Sequence, residues 1–494
     1  MNNLWHLPQL LKESGITVGR SVPDLPVVHV TDDSRQVTKN TLFVAVKGSQ
    51  EDGHRFLRQA VEQGACAVLV DRTCAFPENV VAIRVASTRS FLGPLVSTFF
   101  QFPSRRLKMV GITGTNGKTT TAYLTQYLLE QSGVPAGLMG TVVHRWRDKE
   151  LSSGNTTPGA VFLQATLSKM FEEGIRACVM EVSSHALDQD RVAGMEWTCG
   201  VFTNFSSEHL DYHSTLERYL KAKLRLFQAL GGCAIAVINR DDPQWARVRR
   251  STQAAVLTYS TGREADLTAQ EVRTSLEGTF YQMKTPQGIF LVHSPLSGRH
   301  NVENLLAAAG VLVGLKVPLR MALERLADFP GVPGRLERIE EGQSFPVFVD
   351  YAHTDGALEQ VLTQLRGMTD KKILVVFGCG GDRDKTKRPR MGQVAAQFSD
   401  RIIITSDNPR SEDPEMIARQ VAQGTQGTTT PCGIILDRRE AIQVALESAN
   451  EGWVVLIAGK GHETGQILQD RVIPFDDRSV ARELLRDQAG ALRG

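Results

Sequence analysis

Short runs of apolar, β-favouring residues recur early in the chain, at 26–30, 41–46 and 67–70, with a helical pattern over 55–63 between two of them. Runs of this length read as strands, and the alternation with a 3.6-residue period predicts a small α/β module ending near residue 105. A second stretch opens on an apolar run at 107–113, passes through a Gly-rich turn and continues as a helix over 121–131. Further buried strands are expected at 177–182, 200–203 and 234–238. A helix over 301–315 then leads to a Pro/Gly-rich boundary at 329–334. A third stretch repeats the rhythm, with strands expected at 347–351, 372–377, 402–405 and 454–458. Strands separated by helices imply parallel βαβ units, and each of these strands ends in a polar turn containing Gly or Asp. In open α/β sheets, ligands collect at those carboxyl ends. The expected fold class is therefore α/β in three domains, 1–105, 106–333 and 334–494.

Composition narrows the picture. The chain has 494 residues, 41% of them hydrophobic, and a formal net charge of +2. A sizeable core is within reach, and no broad field favours nucleic acid or a membrane surface. The start lacks the basic and long apolar regions of a secretory signal, and no apolar run approaches the roughly 20 residues that span a bilayer. Seven cysteines are scattered, with no CxxC pair. They are expected to be free, buried thiols in a reducing cytoplasm. Sequons at Asn155 and Asn204 carry no weight there.

The chemistry begins at the turn after 107–113, which reads Gly114-Thr115-Asn116-Gly117-Lys118-Thr119-Thr120. Glycines let backbone N–H groups close around phosphate, and a helix N-terminus favours negative charge. Lys118 is expected on the β- and γ-phosphates of a nucleotide, and the Thr119 hydroxyl on Mg²⁺. The usual GxxxxGK spacing is not met, because Ile112 stands where its first glycine would fall. The central domain is thus expected to be a P-loop parallel-sheet ATPase. Glu181 closes a predicted buried strand, where an acid commonly serves Mg²⁺ and otherwise caps the next turn. His209, Asp211 and His213 follow another strand, a pattern leaning toward a metal or phosphate site. The helix carrying Tyr219, Lys221 and Lys223 reads, by itself, as a solvated face.

Taken in order, TGTNGKTT at 113–120, EVSSHAL at 181–187, HLDYH at 209–213 and the YLKAK helix at 219–223 resemble the Mur ligase family, which also includes folylpolyglutamate synthase. The resemblance implies an acyl-phosphate made from a substrate carboxylate and ATP, from which an amine then displaces phosphate. It implies catalytic roles for Lys118, His209 and Lys223, with Lys223 carried as N6-carboxylysine. Thr119, Glu181, His209 and that carbamate would hold Mg²⁺. Asn301 and Asn304 resemble the family's HNxxN motif near adenine, although Asn301 could instead cap a helix. Arg335 and His353 match residues that approach the nucleotide. Asp355 departs from the usual proline, a change that touches turn rigidity more than chemistry.

The N-terminal Thr31-Asp-Asp-Ser34-Arg35 and the run at 41–48 resemble a UDP-sugar-binding domain. There Ser34 would meet the UDP group, while Asn155, Thr156, Thr157, Ser183, Gln189 and Arg191 match contacts to a UDP-muramoyl dipeptide. The turn Asp407-Asn408-Pro409-Arg410 resembles the DNPR motif of diaminopimelate-adding members. Arginine binds a carboxylate through two parallel hydrogen bonds, an arrangement lysine cannot copy. The brace alternative ties Arg410 to Asp407 or Glu412. Arg383, Gly459 and Glu463 match further amino-acid contacts, on a Rossmann-like third domain. The implied substrates are ATP, UDP-MurNAc-L-Ala-D-Glu and meso-diaminopimelate, with no nucleic-acid partner and a monomeric chain. The rivals are a lysine-adding relative, a folylpolyglutamate synthase, and a P-loop regulatory or transport ATPase that needs no amine.

Overall fold

In the computed structural model, the residues described are 4–18, 21–48, 51–74 and 80–491. The chain divides into two compact units. The first comprises 1–270, 282–291 and 302–325; the second comprises 271–281, 292–301 and 326–494. Among the described residues, no helix is long and apolar enough to cross a membrane.

The first unit opens on a parallel sheet of four strands, His29–Thr31, Thr41–Val44, Ala65–Val70 and Val81–Arg84. Alternate residues point to opposite faces, so one sheet serves two cores. Leu42, Val44, Leu69 and Ile83 pack with Leu92, Leu95 and Val96, while Phe43, Val68 and Val70 pack with Leu57 and Ala60. The expected strand at 26–30 is split: Pro26–Val27 pairs with Trp5–His6, and His29–Thr31 joins the larger sheet. The helix expected over 55–63 starts as a 3₁₀ turn at Gly53–Phe56 and is α-helical only over Leu57–Glu62.

An eleven-stranded sheet follows. Its strand Lys108–Thr113 lies between Ala177–Glu181 and Cys199–Phe202, parallel to both. The register sets Glu181 beside Ile112 and Phe202 beside Thr113. The three strands therefore release their chains at one edge, which is where the phosphate-type turn, Glu181 and the segment from Thr203 onward converge. Three strands at the far side, Leu267–Ser275, Gly278–Thr285 and Gly288–Ser294, had no counterpart among the expected elements.

In the second unit a six-stranded sheet places Trp453–Ala458 between Val347–Asp350 and Lys372–Phe377, all parallel, with Arg401–Ile404 beyond. Glu337–Ile339 is an antiparallel edge. Val375, Phe377, Ile404 and Leu456 face one core, and Leu374, Val376, Ile403 and Ile457 face the other. Four carboxyl ends meet on one rim, carrying the turns after Asp350, Phe377, Ile404 and Ala458.

Beneath that rim, Arg438 and Asp477 are both fully buried and joined by two hydrogen bonds of 2.7 Å. Arg438 also donates to the Ala458 carbonyl at 2.9 Å, the last residue of its strand. Removing one partner of such a pair leaves an uncompensated buried charge and costs about 3–5 kcal/mol. Asp477→Ala should lower the urea midpoint of the full chain accordingly, whereas Arg438→Met/Asp477→Leu should recover much of the loss. An unchanged midpoint for Asp477→Ala would show that the pair is not a brace.

The cysteines depart from expectation in part. Cys178, Cys199 and Cys379 are buried, but Cys233 and Cys432 are exposed.

Candidate active site

The turn between Lys108–Thr113 and the helix Lys118–Gln131 is built against its neighbours. A Cβ on Gly114 would lie 1.8 Å from Thr203 Oγ1, and one on Gly117 would lie 2.4 Å from Asn304 Oδ1. Gly117 also has φ 81°, so only glycine suits it. Asn204 accepts from the Asn116 N–H at 2.8 Å and donates to the Asn116 carbonyl at 3.2 Å. Thr203 donates to the same carbonyl at 2.6 Å. The Thr115 N–H donates to the Asn204 carbonyl, and its hydroxyl lies 3.2 Å from the Tyr219 hydroxyl. Thr119 and Thr120 are buried in the first helical turn. The loop is thus held rigid by residues more than 80 positions away. Lys118 Nζ donates to the carbonyls of Gly114 (3.0 Å) and Thr115 (2.7 Å), which keeps its charge at the mouth of the turn.

Lys223 differs from the solvated lysine of the sequence reading. On the helix Leu216–Gln228, Lys221 is exposed, but Lys223 is only 1% exposed. Its Nζ donates to the Gly114 carbonyl at 2.6 Å and lies 4.4 Å from the Tyr219 ring centroid. Burial, and after it the Lys118 charge, holds the Lys223 ammonium well below the ordinary lysine pKa. His209 has φ 55° and stands before the short helix Leu210–His213. Its ring is 4.9 Å from that of His185 and 5.8 Å from that of Tyr219. Desolvation lowers its pKa, against the pull of Glu208. His213 is buried with Nε2 2.9 Å from the Ser184 hydroxyl.

Glu181 is a hub. One oxygen accepts from the Thr119 hydroxyl at 2.9 Å and the Thr141 hydroxyl at 3.1 Å; the other accepts from the Thr141 N–H at 2.8 Å. Thr141 also reaches Thr156 Oγ1 at 3.0 Å. Sequence reasoning passed over Thr141, although it lies just beyond the carboxyl end of the strand Ala136–Met139. Thr157 donates to the Glu181 carbonyl at 2.8 Å and accepts from the Ser183 N–H. Arg191 donates to the Thr157 carbonyl at 2.8 Å and, through Nε and Nη2, to Gln189 Oε1. Thr156, Thr157, Ser183, Gln189 and Arg191 thus form one network, while Asn155 is exposed beside it. Ser34, in the N-terminal sheet region, is buried and donates to Gln59 Oε1 at 3.1 Å.

Among the described residues no three His, Cys, Asp or Glu side chains gather to hold a metal. A hard cation would fit the oxygen donors of Thr119 and Glu181 only if phosphate oxygens or a further anion completed the shell. Asn304 is buried and accepts from the Thr121 hydroxyl at 3.2 Å. Asn301 donates to the Ser297 carbonyl at 2.9 Å. It does not cap the helix, which begins two residues earlier at Arg299.

In the second unit, Arg335 lies over Tyr351, 5.0 Å from the ring centroid, and its buried Nε has no hydrogen-bond partner among the described residues. His353 Nδ1 is 2.9 Å from the Tyr351 carbonyl. Asp355 occupies the first turn of the helix Asp355–Met368, whose cap is Thr354, and pairs with Arg390 at 2.8 Å. A carboxylate there meets the helix dipole favourably, which accounts for acid in place of proline.

The turn after Arg401–Ile404 carries the remaining predicted group. Asp407 accepts from the Asn408 N–H at 2.6 Å, and the Pro409 carbonyl accepts from the Glu412 N–H at 3.0 Å. Arg410, at φ 52°, donates through Nη1 to the carbonyls of Gly381 (2.9 Å) and Asn408 (3.4 Å). It does not bond to Asp407 or Glu412; Glu412 is held by Arg388 and Lys385. Nε and Nη2 of Arg410 make no hydrogen bond among the described residues. Arg383 is exposed on the neighbouring turn. The Gly459 N–H donates to the Asp350 carbonyl at 3.1 Å, and Glu463 accepts from Asn408 Nδ2 at 3.0 Å.

Comparison with known proteins finds family models along most of the chain. A model of the Mur ligase middle domain matches residues 112–312, one of the Mur ligase glutamate ligase domain matches 334–461, and one of the Mur ligase family catalytic domain matches 26–99. The chain is similar to the UDP-N-acetylmuramoyl-L-alanyl-D-glutamate--2,6-diaminopimelate ligase of Geobacillus thermodenitrificans (strain NG80-2), 43% identical over 94% of this chain and 96% of that protein. The protein of the same name from Listeria monocytogenes serotype 4b (strain F2365) is 39% identical over 98% of this chain and 99% of its own length. A solved structure of a ligase of that name aligns with a TM-score of 0.73 and 34% identity, covering 97% of this chain and 99% of the other. A folylpolyglutamate synthase from Mycobacterium tuberculosis shares the fold, with a TM-score of 0.60 at 18% identity over 80% of this chain and 94% of its own.

Proposed function

The chain belongs to the Mur ligase family, and from that premise we propose that it adds meso-diaminopimelate to UDP-MurNAc-L-Ala-D-Glu at the expense of ATP, in the cytoplasm and as a monomer. Residues 1–105 take the UDP-sugar end, 106–333 the ATP, and 334–494 the incoming amino acid. The substrate's glutamate γ-carboxylate attacks the γ-phosphorus of ATP, giving an acyl-phosphate and ADP. The diaminopimelate amine then attacks the acyl carbon, and phosphate leaves with the C–O electron pair. Lys118 and the N–H groups of the Gly114–Gly117 turn neutralise the transferring phosphoryl group, while Asn301 and Asn304 face the base. Arg191, Gln189, Ser183 and Thr157 orient the dipeptide. Mg²⁺ would be held by Thr119, Glu181, His209 and Lys223 as its carbamate, and would supply charge neutralisation on the phosphates. The protein's contribution is otherwise placement and exclusion of water.

The observation that supports the amino-acid choice is Arg410, half-buried on the rim with two guanidinium nitrogens left over from its loop contacts. A second carboxylate distinguishes diaminopimelate from lysine, and Arg410 can take it in a forked pair. Arg410→Ala or Arg410→Lys should lower kcat/KM for diaminopimelate by about 100-fold, mostly through KM, as loss of a charge-assisted pair typically does. KM for ATP and for the dipeptide should hold. Lysine should be a poor substrate of the unaltered protein, because it leaves the guanidinium charge unmatched. Assays of both amino acids on both proteins decide: equal losses for the two would reduce Arg410 to a loop brace. Phosphate release that needs no amine would favour the simple ATPase.

A further inference from the structure

Lys460 has no assigned role, yet it is among the most enclosed charges in the molecule. Its side chain is 0% exposed, on the turn that leaves Trp453–Ala458. Nζ donates to Asn408 Oδ1 at 3.1 Å and to Glu463 Oε2 at 3.1 Å. Asn408 is itself buried, and its Nδ2 donates to the same Glu463 oxygen at 3.0 Å. Its Oδ1 accepts a second bond from the Ile467 N–H at 2.9 Å. The three side chains therefore close a ring of hydrogen bonds between the turn that carries Arg410 and the turn that carries Glu463.

Within that ring the Glu463 carboxylate is asymmetric. Oε2 accepts from both Lys460 and Asn408, whereas Oε1 accepts nothing among the described residues. The side chain is 34% exposed, so its free oxygen borders solvent while the bonded one is turned inward. A lysine buried this completely pays desolvation that a solvent-facing lysine avoids. What it gains is the orientation of one carboxylate and one amide on separate loops. Asn408 is followed after one residue by Arg410, whose N–H donates to the Ile467 carbonyl at 3.1 Å. Gln466 Nε2 donates to the Asp407 carbonyl at 2.7 Å. The strand Gly465–Ile467 is thus laced to the Asp407–Arg410 turn from several sides, with Lys460 at the buried end.

We propose that Lys460 is a positioning residue for amino-acid selection: it fixes Glu463 so that Oε1 receives the ammonium of the incoming diamino acid at a set distance from Arg410. This rests on the diaminopimelate reading above. The Lys460 ammonium does not touch the substrate; it acts through Glu463 and Asn408.

The test is a double-mutant cycle on the full chain with Lys460→Met and Glu463→Gln, read as KM and kcat for diaminopimelate, ATP and the UDP-dipeptide separately. Because Glu463 borders solvent, removing Lys460 leaves no sealed charge behind, and the methionine variant should fold. Should its urea midpoint collapse, Lys460→Gln, whose amide still donates to one acceptor, carries the same cycle. Lys460→Met should raise KM for diaminopimelate by about 10-fold or more, the scale of one charge-assisted hydrogen bond, with the other two KM values unmoved. In the Glu463→Gln background the same substitution should add little, since the group it orients is already altered. Losses that multiply independently, or that fall on kcat and all three KM values alike, would make Lys460 a purely structural residue and overturn the proposal. The underlying reading fails differently: wild type would then release no phosphate with diaminopimelate, and the cycle would be read with the amino acid it does accept.

Discussion

Lys223→Ala should lower diaminopimelate-dependent phosphate release by about 100- to 1000-fold, the usual cost of removing one fixed electrostatic stabiliser from a reaction centre. The helix Leu216–Gln228 turns Tyr219, Leu220, Lys223, Leu226 and Phe227 inward, so an ammonium sits among apolar groups and close to Lys118. Both desolvation and like charge favour the neutral amine. A neutral amine adds to CO₂, forming an N–C bond and releasing a proton, and the product is an anion. Such an anion on Lys223 would turn repulsion from Lys118 into attraction and would offer oxygen to a hard cation. Acidification reprotonates the amine and releases CO₂, so activity should fall on the acid side and recover when bicarbonate is added. Carbon-13 NMR with labelled bicarbonate should give a carbamate signal in the unaltered protein and none in Lys223→Ala. Small carboxylates should restore part of the variant's activity. No carbamate signal, together with full turnover of the variant, would remove Lys223 from the mechanism.

Lys118→Ala should cost about 1000-fold or more in kcat, since a positive charge on a transferring phosphoryl group acts mainly in the transition state. Two of its hydrogen bonds go to carbonyls of its own turn, which water can replace. The helix it starts retains its buried residues Leu124, Leu128 and Leu129. The thermal midpoint should therefore stay near that of the unaltered protein while product formation disappears. ATP affinity, measured by calorimetry, should weaken less than kcat falls. Near-normal turnover would dismiss the phosphate role of this turn, and a collapsed midpoint would mean that Lys118 is structural.

The sequence was most legible where one strand is buried on both faces. Lys108–Thr113, Lys372–Phe377 and Trp453–Ala458 are continuous apolar runs, and each appeared within a residue of its expected bounds. Within the meander at 267–294, Gly288–Ser294 does carry an apolar run at 289–292, but Gly278–Thr285 was missed for the opposite reason. In Gly278–Thr285, buried Thr279, Tyr281, Met283 and Thr285 alternate with exposed or half-buried residues, so no apolar run exists to be seen. The brief strand at Pro26–Val27 was fused with its neighbour, because apolar character does not reveal which sheet a residue joins.

The chemistry divides along the same line. The Gly-rich turn from Gly114 to Thr120 and the acid closing Ala177–Glu181 are legible locally as a strand–turn–helix and a strand end, whereas the partners that hold the turn, Thr203 and Asn204, come from more than 80 positions away. Whether Lys223 is a surface charge or a buried amine could not follow from its helix, whose neighbouring Lys221 is exposed. That depended on the Gly114 carbonyl arriving from 109 positions away to accept its hydrogen bond. Thr141, Asn204 and Lys460 are likewise ordinary residues in sequence, made important by partners brought in across sheet edges. Amino-acid type and spacing determined the strands buried on both faces, the Gly-rich turn and the family. Long-range packing alone decided which polar groups lose water and which partner replaces it, because desolvation depends on everything folded around a side chain and not on its neighbours along the chain.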